Sequence, residues 1–338
     1  MINHYETLFR FIPLRKEPRM NYKDKIDPEL KKTARRVPFN RQIVRLGNIY
    51  QAAILKLVKI PGDVSVMTIE TEGYQHLKFT TDVFTPAGAE SPMPALIYAH
   101  GGAFCYKAAT YHKRLACIYA AKAKCKVFFP DYHLAPDYPY PAAVEDVRSL
   151  YKYAADHAEE LGIDAGRIGL AGDSAGGTIA ALVCNGYEKE KLIKPCLQML
   201  VYPLTDADMG TQSMRKYTDT PFWDSTYMSL MWDIYFGDQN KGAFEDKTGC
   251  ALKDDLKKEA LPMHNALPSS IPDTYIETAE FDCLHDEGIL YGQRLEKAGA
   301  KVEWNDTKGT FHGYDMALDT QIVINAVKKR LSFLRRHF

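Results

Sequence analysis

From residue 94 onward the chain alternates short apolar runs with amphipathic helical stretches, and that alternation leaves few folds open. The runs span 95–99, 126–130, 167–171, 197–202, 274–278 and 301–305. They are apolar at successive positions, as strands covered on both faces must be. Residues 141–162 show the helical partner, with Pro141 at a first helical position and Gly162 at a C-terminal cap. Between them Val144, Val147, Tyr151, Ala154, Ala155, Ala158 and Leu161 recur at three- and four-residue intervals, which is one buried stripe. The pattern predicts an α/β protein with a mostly parallel central sheet flanked by helices. Two further strands are expected ahead of it, at 64–71 and 77–84, from alternating β-branched and aromatic residues.

Two stretches fall outside this alternation. Residues 1–62 read as polar and mostly helical, punctuated by Pro13, Pro18, Pro28, Pro38 and Pro61. Residues 205–268 are too many for a simple connection and contain a helix beginning at Asp224 or Ser225. There Trp223, Tyr227, Met231 and Tyr235 fall four apart, beside Met228, Trp232 and Phe236. A stripe of that kind serves either lid–body packing or the lining of a pocket. The expected organisation is an N-terminal helical cap segment over 1–62, a core over 63–204, a cap insert over 205–268 and a second core part over 269–338.

Composition narrows the function. With 46% apolar and 25% charged residues the chain is globular, and no apolar run reaches the length needed to cross a bilayer, so no membrane insertion is expected. Lys plus Arg equals Asp plus Glu at 43 each, which argues against a nucleic-acid partner. The charge is uneven, however. Residues 1–60 carry 14 basic against 5 acidic side chains, a net of +9, and the rest carries −9. A basic lid docking on an acidic body explains this better than an anionic surface does. Arg10 and Arg15 interrupt the first 19 residues, which lack the apolar middle of a secretion signal. Seven cysteines without a CxxC pair suit free thiols, so a cytoplasmic protein is expected. Neither zinc-type spacings nor a cofactor fingerprint occur, and no metal or cofactor is expected.

Chemistry concentrates at a few strand ends. Gly172-Asp173-Ser174-Ala175-Gly176 fits G-x-S-x-G, lying between the run 167–171 and a helical stretch over 178–187. A nucleophile on so sharp a turn needs small neighbours, and the following helix N-terminus favours developing negative charge. His100-Gly101-Gly102-Ala103-Phe104 follows the run 95–99; its paired glycines suit either an oxyanion hole completed by the N–H of Ala175 or an ordinary turn. A base and an acid must complete the set. Among ten histidines, His4, His112, His157 and His337 have no neighbouring glycine or strand end and read as surface or satisfied core. His312 lies in the glycine-flanked loop 309–313, and Asp282 follows the run 274–278. Asp286 and Glu287 are rivals to Asp282 but read as the acidic first turn of a helix ending near Gly299.

Across residues 70–335 the sequence resembles the hormone-sensitive lipase family of α/β-hydrolases. The resemblance rests on ordered motifs: His100–Phe104 in the numbering of 100–104, Asp131-Tyr132-His133-Leu134-Ala135-Pro136-Asp137, the elbow over 172–177, the stretch 282–288, and Phe311-His312-Gly313. It implies an α/β-hydrolase fold with a helical cap built from the N-terminal segment and the insert. It implies Ser174 as nucleophile, His312 as general base and Asp282 as its orienting acid, with the N–H groups of Gly101, Gly102 and Ala175 binding an oxyanion. Three residues depart from the family pattern: Ala103 for a third glycine, His133 for an arginine and Cys283 for a proline.

The expected activity is hydrolysis of small, short-chain acyl esters through an acyl-enzyme. Amidase or lactonase chemistry would use the same triad, and a non-catalytic ligand receptor is disfavoured because Ser174, Asp282 and His312 are all present. Phe104, Asp173, Trp223 and Tyr227 are the candidate substrate-binding residues. No long exposed apolar element is expected, and an edge strand leaves a homodimer open.

Overall fold

The computed structural model describes residues 24–88, 90–237 and 252–338. Pro13, Pro18, His4 and Cys250, and with them residues 1–23 of the expected N-terminal cap segment and 238–251 within the expected insert, lie outside the described residues.

Eight strands form one sheet: β1 (Val64–Glu72), β2 (Lys78–Pro86), β3 (Met93–Ala99), β4 (Lys126–Pro130), β5 (Ile163–Asp173), β6 (Leu197–Val201), β7 (Asp273–Phe281) and β8 (Val302–Phe311). Their spatial order is β1-β2-β4-β3-β5-β6-β7-β8. β2 runs antiparallel to both neighbours, and every pairing from β4 to β8 is parallel. Every residue of β3 and of β6 is buried, so both sheet faces are covered there. The helices are α1 (Arg41–Leu55), α2 (Thr110–Ala123), α3 (Ala142–Asp156), α4 (Ala158–Leu161), α5 (Ala175–Gly186), α6 (Gln212–Lys216), α7 (Met228–Phe236), α8 (Asp254–Ala260), α9 (His285–Lys297) and α10 (Gln321–His337). α2 packs with α10 and α3 with α5. Among the described residues no helix is long and apolar enough to cross a membrane.

Several element boundaries differ from those expected from the sequence. The helix expected over 141–162 breaks at His157, where φ −109° and ψ 26° are not helical and the ring turns back to within 3.0 Å of the Tyr153 carbonyl. Gly162 does form the left-handed cap, at the end of α4. β5 begins at Ile163 and reaches Asp173, and β8 continues to Phe311, so the segment read as a loop before His312 is mostly strand. The elbow helix starts directly after the serine, at Ala175.

In the N-terminal segment, α1 is capped by Asn40, whose side chain accepts the N–H of Ile43 at 2.9 Å. Val44 is its one fully buried residue, while Leu46, Ile49 and Tyr50 are exposed. An apolar helical face therefore meets solvent, contrary to expectation. In the insert, Asp224 caps the turn leading into α7 by accepting the N–H of Thr226, and it also receives Nε of Arg36 at 2.6 Å. That ion pair ties the N-terminal segment to the insert, and the Arg36 guanidinium lies 4.9 Å over the Tyr227 ring.

Candidate active site

The site is assembled at the C-terminal ends of β3, β5, β7 and β8, where open α/β sheets place their ligands. Ser174 sits between β5 and α5 with φ 54°, a backbone conformation that costs a non-glycine residue energy. Its N–H is satisfied by the Val201 carbonyl at 2.9 Å. The turn is possible because Gly176 is bare: a Cβ there would lie 2.1 Å from the Ala99 carbonyl oxygen. β3 and the elbow thus meet at backbone contact, which brings the 100–104 segment beside the serine.

His312 follows β8 directly and Asp282 follows β7 directly. Nε2 of His312 lies 2.9 Å from Oγ of Ser174, and its Nδ1 lies 2.7 Å from Oδ2 of Asp282. The other Asp282 oxygen accepts the N–H of Leu284 at 2.9 Å, so the fully buried carboxylate is fixed from both sides. The two rival acids are engaged elsewhere. Asp286 accepts the N–H of Ser213 and pairs with His285, while Glu287 accepts the N–H of Thr205 and is pushed well up by burial. Tyr202 packs edge-on against His312 at 4.8 Å and donates its hydroxyl to Asp315 at 3.0 Å. Asp315 and Glu277 hold the buried Arg330 between them, a charged cluster that reaches the histidine through Tyr202.

A cavity of about 250 Å³ opens onto Ser174 and His312. Gly101, Gly102 and Ala103 form one wall, and Phe39, Ile43, Phe222, Trp223, Met231 and Leu284 supply much of its apolar lining. Residues of α1 and of the segment before it therefore share this cavity with the nucleophile, together with residues of the insert. His100 supports the glycine wall from behind. Its Nδ1 lies 2.7 Å from the Gly101 carbonyl, and its ring stacks on Tyr132 at 4.5 Å. Burial, then the neighbouring His112, lowers His100 to about 4, so the ring is neutral.

Of the four candidate substrate-binding residues, Trp223 and Asp173 line the cavity and the other two do not. Phe104, with φ 58°, turns into the core and stacks on Tyr235 at 3.7 Å, so it cannot face a ligand. Tyr227 is spent on Phe39 and Arg36. Asp173 borders the cavity, but both its oxygens are engaged within the protein. Oδ1 accepts the Tyr98 hydroxyl at 2.8 Å and Oδ2 lies 3.0 Å from Nε2 of His112. Burial works against the carboxylate, yet His112 and Tyr98 hold it below its ordinary range. His112, read from sequence as surface or core, is buried and lines the cavity, as do Tyr106 and Tyr111. The departures from the family pattern also find places: Ala103 carries φ 54°, and His133 meets the buried Asp146 at 2.8 Å.

Away from the cavity, Asp206, Asp208 and His264 bring potential metal ligands within 4.8 Å of one another, but Lys257 and His264 already pair with these carboxylates.

A serine, an imidazole and a carboxylate in hydrogen-bonded series, beside a glycine wall at a helix N-terminus, form the constellation of a nucleophilic serine hydrolase. The sequence profile described as the alpha/beta hydrolase fold matches residues 96–316. The chain belongs to that family, in the branch similar to hormone-sensitive lipase. Carboxylesterase NlhH of Mycobacterium tuberculosis is 30% identical over 318 residues, covering 92% of this chain and 96% of its own. Ethyl acetate hydrolase of Pseudomonas putida is 30% identical over 221 residues, 65% of each chain. Among solved structures, a bacterial heroin esterase matches with TM-score 0.83 at 30% identity, covering 93% of this chain and 98% of that one. The protein is an esterase-type serine hydrolase.

Proposed function

We propose that the protein hydrolyses small carboxylic esters with short acyl chains, and that Ser174, His312 and Asp282 carry the reaction. Ser174 Oγ forms a bond to the acyl carbonyl carbon while its proton passes to His312 Nε2, 2.9 Å away. The carbonyl oxygen becomes an oxyanion received by the N–H groups of Gly101, Gly102 and Ala175. Collapse breaks the ester C–O bond, and His312 returns the proton to the departing alkoxide. Water then attacks the acyl-enzyme, giving its proton to His312, and the carboxylate leaves as Ser174 regains its hydrogen. Asp282 keeps the imidazole in one tautomer, with Nδ1–H toward the carboxylate, and stabilises the imidazolium.

The observation that carries this reading is the Ser174–His312–Asp282 series opening onto a confined apolar cavity. About 250 Å³ favours a compact ester over a long acyl chain. The residues from Val37 to Gln51, and those from Phe222 to Met231 that line it, support a cap made of segments 1–62 and 205–268 over core parts 63–204 and 269–338. A cytoplasmic setting is supported by the six free cysteines among the described residues. The open sheet edge at β8, with Trp304 exposed, supports a homodimer. A ladder of aryl esters from acetate to palmitate tests the substrate class. The expected result is a kcat/KM that falls steeply beyond about four to six acyl carbons as the chain outgrows the cavity; a maximum at palmitate overturns it.

A further inference from the structure

Asp173 places a buried carboxylate against the wall that is to receive the oxyanion. Were Gly101 to carry a Cβ, that atom would lie 2.3 Å from Asp173 Oδ2, so the carboxylate oxygen rests on the Gly101 backbone. A carboxylate so placed is a natural acceptor for the N–H groups of the loop it touches, and it would compete there with the oxyanion. What draws it away is a fixed pair of donors. Tyr98 takes Oδ1 at 2.8 Å, and His112 approaches Oδ2 at 3.0 Å.

The direction of the His112 bond is set by its other nitrogen. Nδ1 accepts the N–H of Ala109 at 2.8 Å, so the ring N–H is at Nε2 and points at Asp173. The ring is itself held, lying 3.9 Å from the Tyr111 ring and 5.7 Å from the His100 ring. His112 is buried and lies at the start of α2, where it lines the cavity.

We infer that His112 is a positioning residue that keeps the Asp173 carboxylate turned away from the oxyanion-binding N–H groups of the Gly101–Gly102 wall. Removing it leaves a buried carboxylate oxygen one donor short, and the loop N–H groups satisfy it at the expense of the transition state. This deepens the ester-hydrolase reading and rests on the oxyanion role given there to Gly101 and Gly102.

The test is a set of four variants assayed on a short-chain aryl ester: His112→Leu, His112→Gln, His112→Leu with Asp173→Asn, and Ser174→Ala. His112→Leu is expected to lower kcat by about 10²-fold, the scale of a lost oxyanion donor, with KM little changed. His112→Gln, which keeps an N–H for Asp173, retains most of the activity. The double variant removes the competing charge and is expected to recover at least about tenfold over His112→Leu, although it carries one more change in the core. Losses that add in the double variant, or a His112→Leu effect confined to KM, overturn the inference. If His112→Leu alone fails to fold, a His112→Gln variant as impaired as Ser174→Ala overturns it instead. Undiminished turnover by Ser174→Ala signals failure of the hydrolase reading itself and is told apart from the other outcomes.

Discussion

The carboxylate of Asp282 accepts from His312 Nδ1 at 2.7 Å and from the Leu284 N–H at 2.9 Å, so one side chain orients the base and anchors the turn after β7. Neither oxygen has freedom to rotate away. The imidazole therefore presents Nε2 to Ser174 already in the tautomer that can take a proton.

Asp282→Asn preserves the shape of this link but offers an amide where the imidazole needs an acceptor. Steady-state kinetics should show kcat lowered by about 10⁴-fold, the scale of an acid-to-amide change in a serine triad, with KM little altered. A loss below tenfold would show that the carboxylate does not set the tautomer.

Ala103 occupies the left-handed region at φ 54° in the position where a third glycine is usual. Ala103→Gly relieves that strain, offset in part by the greater freedom of glycine in the unfolded chain. Urea unfolding should show a gain of about 0.5–1 kcal/mol at unchanged m-value.

Trp223 is nearly buried, packs edge-on against Phe39 at 5.0 Å and lines the cavity. Trp223→Ala should cost about 3–5 kcal/mol in stability. By enlarging the cavity it should also raise the octanoate-to-acetate ratio of kcat/KM about tenfold. An unchanged ratio would place the acyl chain elsewhere.

His100 gives stability a pH dependence. Its folded pKa, lowered by burial and by His112 to about 4, lies below the unfolded value of 6.5. The unfolded chain therefore binds the proton first. The contribution of neutral His100 is complete above pH 6.5 and is lost as pH falls from there toward 4, amounting to about 3 kcal/mol in full. Urea midpoints at pH 7 and 4.5 should differ accordingly, and His100→Gln should flatten the difference.

The sheet and the nucleophile elbow were legible because both depend on local chemistry: strands buried on two faces are apolar throughout, and a strand-to-helix turn in backbone contact with β3 excludes side chains at Gly176. Asp282 could be set apart from Asp286 and Glu287 because those two stand in the first turn of α9, where an acidic residue has a structural use. His112 left no such trace. It stands in the first turn of an ordinary-looking helix, and its partner Asp173 is 61 residues away. The pocket lining was equally hidden, since Phe104 and Tyr227 have the right chemistry but their backbone and packing turn them elsewhere. The role of α1 in the cavity depends on which distant residues the N-terminal segment packs beside, which no local pattern records.

The most direct test is the mass of the protein quenched early in turnover of an aryl acetate, with peptide mapping of the adduct. A single acetyl group on Ser174 is expected, formed together with a stoichiometric burst of phenol, and neither adduct nor turnover in Ser174→Ala. Acetylation at another residue, or hydrolysis by folded Ser174→Ala at the wild-type rate, would contradict it.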